Sequence, residues 1–124
     1  MKILVLGAGQ VGKTVAQALS HENNDVTVVD RDRQTLKALE GKLDIKTVCG
    51  HAAHPDVLIR AGAEDAELML AVTDSDETNM VACQVAYTLF HTPTKIARIR
   101  AAEYMTAKTL FTQDAIPVDV RISP

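Results

Sequence analysis

Residues 3–14, ILVLGAGQVGKT, satisfy two phosphate-binding patterns that imply different folds. As Gly7-x-Gly9-x-x-Gly12 the stretch is a dinucleotide fingerprint, and as Gly7-x-x-x-x-Gly12-Lys13-Thr14 it is a P-loop. The two readings differ in where the following helix begins. In a P-loop the residues between the outer glycines wrap a phosphate and the helix starts near the Gly-Lys pair. In the dinucleotide fold it starts at about the second glycine, so that backbone N–H groups at its N-terminus face a pyrophosphate. Val11, Val15, Ala18 and Leu19 fall at i, i+4, i+7 and i+8, one apolar stripe suited to lie on a sheet. Val11 joins that stripe only if the helix exists before Gly12. This favours the dinucleotide reading, with Gly12 bare for helix–strand packing and Lys13 on the solvent side.

The second indication is an acid. Residues 25–30, DVTVVD, form a strand pattern ending in Asp30, 23 residues after Gly7. The acid that accepts hydrogen bonds from ribose hydroxyls is expected about 20 residues on. A carboxylate there favours NAD over NADP, whose 2′-phosphate would meet its charge, although Arg31 and Arg33 soften that preference. A Walker-B acid could also end a strand, which keeps a small P-loop hydrolase as an alternative.

Outward from this loop, short apolar runs alternate with helix-period segments. Strand patterns lie at Lys2–Leu6, Asp25–Val29, Lys46–Cys49, Leu68–Val72, Lys95–Ile99 and Val118–Ile122. Helix patterns lie at about Gln10–Ser20, Arg33–Lys42, Pro55–Ala61 and Ser75–His91, with a shorter one near Glu103–Thr112. The alternation predicts an α/β fold, a Rossmann-like doubly wound parallel sheet of about six strands with helices on both faces. Pro55 can open a helix and Gly62 can close it. Asp74 and Glu77 stand in capping-box spacing at the start of the longest helix pattern. The acidic cluster 74–77 is therefore read as capping, not as a metal site. The stripe of Met80, Cys83, Tyr87 and Phe90 is read as core or oligomer interface.

With 124 residues, 47% of them apolar, the chain can bury one core. A formal charge of −3 and 3% aromatic residues argue against nucleic-acid binding. No apolar run reaches the roughly 18–20 residues that cross a bilayer, so a membrane role would come through a partner. No secretory or transit pattern precedes the first strand. Cys49 and Cys83 lack metal spacing and suit a reducing cytosol. His51 and His54 have no third ligand nearby and are read as lying at a helix start and a nucleotide edge. No hydride-transfer acid or nucleophile–base pair stands out, which argues for a binding domain over an enzyme. The strand pattern at Val118–Ile122 is followed by no closing helix, and residues 1–124 are expected to be a single domain from a longer chain.

The stretches MKILVLGAGQVG, HENNDVTVVD, GHAAHPDVLIRAGAEDAELMLAVTDSDETNMVACQVAY and KIARIR together resemble the RCK (KTN, or TrkA-N) domain at the N-terminus of Trk-type potassium uptake regulators. The resemblance covers essentially the whole chain. It is most specific from AGAEDAELMLAVTDSDETNM onward, since dehydrogenases share only the first loop. It implies a cytoplasmic, peripheral regulatory subunit, a homo-oligomer, that binds NAD or NADH and also ATP or ADP. Such a subunit gates a TrkH-type membrane potassium-translocating partner. By the same resemblance Gly7, Ala8, Gly9, Gln10, Val11 and Gly12 form the pyrophosphate loop, and Asp30 and Arg31 lie at the ribose. Gly50 and His51 lie near the adenine, and Thr73 and Asp74 line the far half of the nucleotide. Arg98 is a binding position, and Arg100 a phosphate contact. Two arginines spaced by two on one strand would face the same side, where they could neutralise phosphates. The alternative is the cofactor domain of an NAD-dependent dehydrogenase.

Overall fold

Alternation along the central strands divides the core in two. Ile3 and Val5 of β1 (Lys2–Leu6) point to one face with Val26 and Val28 of β2 (Asp25–Asp30). Leu4 and Leu6 point to the other, with Met69 and Ala71 of β4 (Leu68–Ala71). The sheet is completed by β3 (Lys46–Cys49), β5 (Thr94–Arg98) and β6 (Val120–Ile122). All pairings are parallel and the order is β3-β2-β1-β4-β5-β6. These relations come from a computed structural model that describes residues 1–123. Strands buried on both faces need apolar residues at consecutive positions, which is why they read as runs and not as polar–apolar alternation.

Helices α1 (Gln10–Ser20) and α2 (Arg33–Glu40) cover the first face through Ala16, Leu36 and Leu39. Helices α3 (Pro55–Arg60) and α4 (Asp76–Val85) cover the second through Val57, Leu58, Met80, Ala82 and Cys83. A short helix α5 (Ala102–Thr106) follows β5. The doubly wound reading therefore holds, and the winding reverses between β1 and β4. A cleft opens at that switch point in such sheets. Among the described residues no helix is long and apolar enough to cross a membrane.

The departures are local and have physical causes. The buried arc of α1 is centred on Gly12, Ala16 and Leu19, and Ala18 is exposed. Successive helical residues turn by about 100°, so Ala18 lies one step outside the stripe assigned to it. Helix α4 is capped by Ser75, whose hydroxyl accepts the Thr78 N–H at 3.1 Å, and not by Asp74. Glu77 instead accepts the Tyr104 hydroxyl at 3.0 Å. The α-helix ends at Val85 and continues as a π turn over Ala86–Phe90. The wider turn moves Tyr87 out of the Met80–Cys83 line to 37% exposure, while Phe90 still packs on the core. The last helix pattern breaks after Thr106, in a run where Thr106, Thr109 and Thr112 weaken helix propensity.

Burial has a direct chemical consequence at Cys83. The thiol is fully enclosed, and burial pushes its pKa up to about 12. Half-buried Cys49 is the other free cysteine. At pH 8 a thiol reagent such as Ellman's should label Cys49 and leave Cys83 untouched until denaturant is added. The unfolded Cys83 ionises near its ordinary value of about 9 while the native thiol holds its proton. Its contribution to stability therefore falls as pH rises from about 9 toward about 12.

Candidate functional site

Four glycines near the carboxyl ends of the strands are bare for different reasons. Gly7 follows β1 with φ +108°, and a Cβ there would lie 3.0 Å from the backbone of Val72 and Thr73. Gly12 lies beneath it, where a Cβ would overlap the Gly7 carbonyl. A Cβ on Gly50 would meet Val57 Cγ2 at 2.6 Å. Each of these is required by the packing of the protein itself. Gly9 differs, since a Cβ there would have nothing within 4 Å. Gly9 is also the N-cap of α1 and supplies no side-chain cap, so the first N–H groups of that helix have no side-chain partner.

Gly7, Gly9 and Gly50 border a cleft of about 510 Å³. One wall is the loop Gly7–Gly9, and Asp30, Arg31 and Asp32 form the side next to it. Gly50, His51 and Ala52 contribute from the end of β3, and Val72–Ser75 with Arg98 form the opposite wall. Asp30 braces the loop. Its Oδ1 accepts the Ala8 N–H at 2.9 Å and its Oδ2 accepts the Asp32 N–H at 2.9 Å. A carboxylate has about four acceptor positions, so Asp30 keeps capacity for hydroxyl donors beyond these two.

His51 stacks on His54 with ring centroids 4.3 Å apart and planes 12° from parallel. Its Nδ1 accepts the Ala53 N–H at 3.1 Å, which leaves the proton of the neutral ring on Nε2. Burial first, then His54 and Arg31, hold His51 below the usual imidazole range. Across the cleft, Arg98 Nη1 donates to the Thr73 carbonyl at 3.5 Å, and Arg98 Nε is buried without a partner. An orphaned guanidinium donor beside a cleft suits an anionic ligand. Among the described residues no group of three His, Cys, Asp or Glu side chains could hold a metal ion.

The structure therefore brings Gly7, Ala8, Gly9, Asp30, Arg31, Gly50, His51, Thr73, Asp74 and Arg98 to one cleft. Four of the residues singled out from sequence do not line it. Gln10 turns along α1, where its Nε2 donates to Thr14 Oγ1 at 3.4 Å. Val11 packs half-buried against the first-face core, and Gly12 is buried under Gly7. Arg100 is the clearest correction. β5 ends at Arg98, so the two arginines do not share a strand face, and Arg100 is exposed. Its backbone N–H is held by Asp76 at 3.0 Å. Sequence reading missed Asp32, Thr35, Ser75 and Thr78, which also line the cleft, and the buried Asn79 behind its wall. An asparagine four residues before Cys83 on an apolar helix face was the available signal for the last.

With this geometry in place, the family model described as the TrkA-N domain matches residues 3–124. The chain belongs to the TrkA-N domain family. It is 59% identical over 124 residues to the Trk system potassium uptake protein TrkA of Halomonas elongata, covering 100% of this chain and 27% of that protein. The Vibrio alginolyticus protein of the same name is 58% identical over 125 residues, with the same coverage. The chain thus spans about a quarter of the length of these curated relatives. Among solved structures, the TrkA-N domain of the Escherichia coli inner membrane protein ybaL superposes with TM-score 0.85 at 17% identity, covering 98% of this chain and 86% of that one. The AMP-bound Shewanella denitrificans Kef CTD gives 0.83 at 19% identity, covering 100% and 72%. The GsuK channel bound to NAD gives 0.80 at 21%, covering 98% and 21%. At these identities the superpositions establish the TrkA-N fold alone.

The Asp30 brace can be tested by itself. In Asp30→Asn the new amide must face either the Ala8 or the Asp32 N–H, donor against donor. The variant is expected to lose about 1–3 kcal/mol of stability, read as a lower midpoint in urea unfolding.

Proposed function

We propose that residues 1–124 form the N-terminal nucleotide-sensing domain of a longer potassium uptake regulator. The domain binds NAD or NADH across the cleft, accepts ATP or ADP in the same pocket, and performs no catalysis. The observation that carries this reading is Gly9. Packing accounts for Gly7, Gly12 and Gly50, whereas nothing in the protein requires a glycine at position 9. A bare residue facing open space at an uncapped helix N-terminus is what a pyrophosphate approaching backbone N–H groups needs. Fold neighbours whose structures hold AMP, NAD and ADP support the ligand class.

In this reading the first turn of α1 and the Gly7–Gly9 loop bind the phosphates, and Asp30 takes ribose hydroxyls on the lone pairs its backbone partners leave free. His51 offers Nε2–H at the base end, and Arg98 faces the more distant phosphate or ribose. Asp30 disfavours a 2′-phosphate, so NADP is the weaker ligand. The chain acts by differential affinity: a nucleotide that fits one arrangement of neighbouring domains better than another shifts their balance, and it can do no more than that energetically. The names of the relatives support a place in a potassium uptake system. In this proposal the whole regulator assembles as a homo-oligomer with a TrkH-type potassium-translocating subunit at the cytoplasmic face of the membrane.

Calorimetric titration with NAD, NADH, ATP and ADP should give dissociation constants in the micromolar range, and lack of binding to all four would refute the proposal. Gly9→Val is expected to abolish this binding while leaving the unfolding midpoint near that of the parent. Gly12→Ala should do the reverse of a clean ligand effect. It forces α1 away from the Gly7 carbonyl and costs about 1–3 kcal/mol of stability, measured by urea unfolding.

A further inference from the structure

Asn79 is 0% exposed, yet it lies directly behind the cleft wall formed by Thr73 and Arg98. Its carboxamide uses its whole hydrogen-bonding capacity there. Oδ1 accepts the Thr73 N–H at 3.0 Å and the Thr73 hydroxyl at 2.6 Å. Nδ2 donates to the Thr73 carbonyl at 3.2 Å and to the Arg98 carbonyl at 2.8 Å. An amide has two acceptor lone pairs and two donors, so none is left over.

These bonds join two loops that are distant in sequence, the one after β4 and the end of β5. They converge on the atom that also orients the Arg98 side chain, because Arg98 Nη1 donates to the same Thr73 carbonyl. Asn79 thus fixes Arg98 twice, once through its backbone carbonyl and once through the acceptor of its guanidinium. Thr73 itself is held at its N–H, carbonyl and hydroxyl. The opposite wall of the cleft, made by Gly7–Gly9 and Asp30, is braced by the Ala8 and Asp32 contacts, while the Asn79 carboxamide spends all its hydrogen bonds on Thr73 and Arg98.

We infer that Asn79 is a positioning residue for the far wall of the cleft, setting Thr73 and Arg98 for the half of a nucleotide that lies beyond the first phosphate. This rests on the nucleotide-binding reading above. It makes a distinction that a general effect on folding does not. A ligand confined to the Gly7–Asp30 side, such as AMP, does not depend on Asn79. A ligand that reaches the Arg98 side, such as NADH, does.

The test is calorimetric titration of the chain with AMP and with NADH in parallel, for the parent, Asn79→Asp and Asn79→Ser. Asn79→Asp keeps the shape and loses both donors, and Asn79→Ser removes most of the bracket without burying a charge. On either variant that retains the parent's circular dichroism, NADH affinity should fall about tenfold or more, the effect of about 1.4 kcal/mol of lost interaction, with AMP affinity within about twofold of the parent. In an Arg98→Ala background the Asn79 substitution should cost NADH less than it does in the parent, since part of its effect is exerted through the Arg98 side chain. Equal losses for AMP and NADH, an unchanged NADH affinity, or full additivity with Arg98→Ala would each overturn the inference. Failure of both variants to fold would overturn it too, by making Asn79 a residue of the fold and not of the wall. A parent chain that binds neither AMP nor NADH would remove the nucleotide reading itself, an outcome distinct from all of these.

Discussion

The close approach of α1 to the backbone of the loop after β1 is the constraint on which the rest depends. With no side chain at Gly12, the helix sits against the Gly7 carbonyl, and Gly7 in turn sits against the Val72–Thr73 backbone at the end of β4. Three elements from different parts of the chain therefore meet at main-chain distance. Main chain packed on main chain leaves no room for rotamers to adjust. The direction of α1, the position of its uncapped first turn and the separation of β1 from β4 are set together.

From that contact the two walls of the cleft acquire different characters. The wall next to β2 is held by an anion, with Asp30 accepting from the backbone on both sides of the loop. The wall next to β5 is held by a neutral amide, with Asn79 bridging Thr73 and Arg98. Outside this second bracket, Asp76 accepts the Arg100 and Ala101 N–H groups at 3.0 and 2.7 Å. The segment leaving β5 is thus tied to α4 from inside and outside. Two carboxylates of the acidic cluster, Asp76 and Glu77, are engaged as acceptors, for these backbone N–H groups and for the Tyr104 hydroxyl.

Much of the architecture was legible because it follows from local pattern. Strands buried on both faces betray themselves as β-branched runs, and β1 has the bounds its sequence suggests, as does the half-buried edge strand β3. Val11 fixed the start of α1 correctly because a helix stripe is a geometric statement. What could not be read depends on contacts between distant residues. Asp74 and Ser75 are equally good caps by composition, and only the path of the chain out of β4 selects Ser75. Arg100 shares the parity of Arg98, but parity carries meaning only while the strand lasts, and pairing with β6 stops at Arg98. Asn79 could be flagged from its place on an apolar helix face but not tied to the site, since its partners lie 6 and 19 positions away. The alternation that places helices on a sheet says nothing about which buried polar group will join two loops.

The Asp30 brace also determines how the cleft could signal. Ala8, Asp30 and Asp32 hold one another through bonds within the protein, so the conformational entropy of this loop is lost on folding and not on ligand capture. A loop ordered in advance has no disorder-to-order transition with which to announce that something is bound. Any message from this side of the cleft would travel as a rigid displacement, the braced loop moving as one body with α1 and the end of β4, instead of as a segment that freezes and melts.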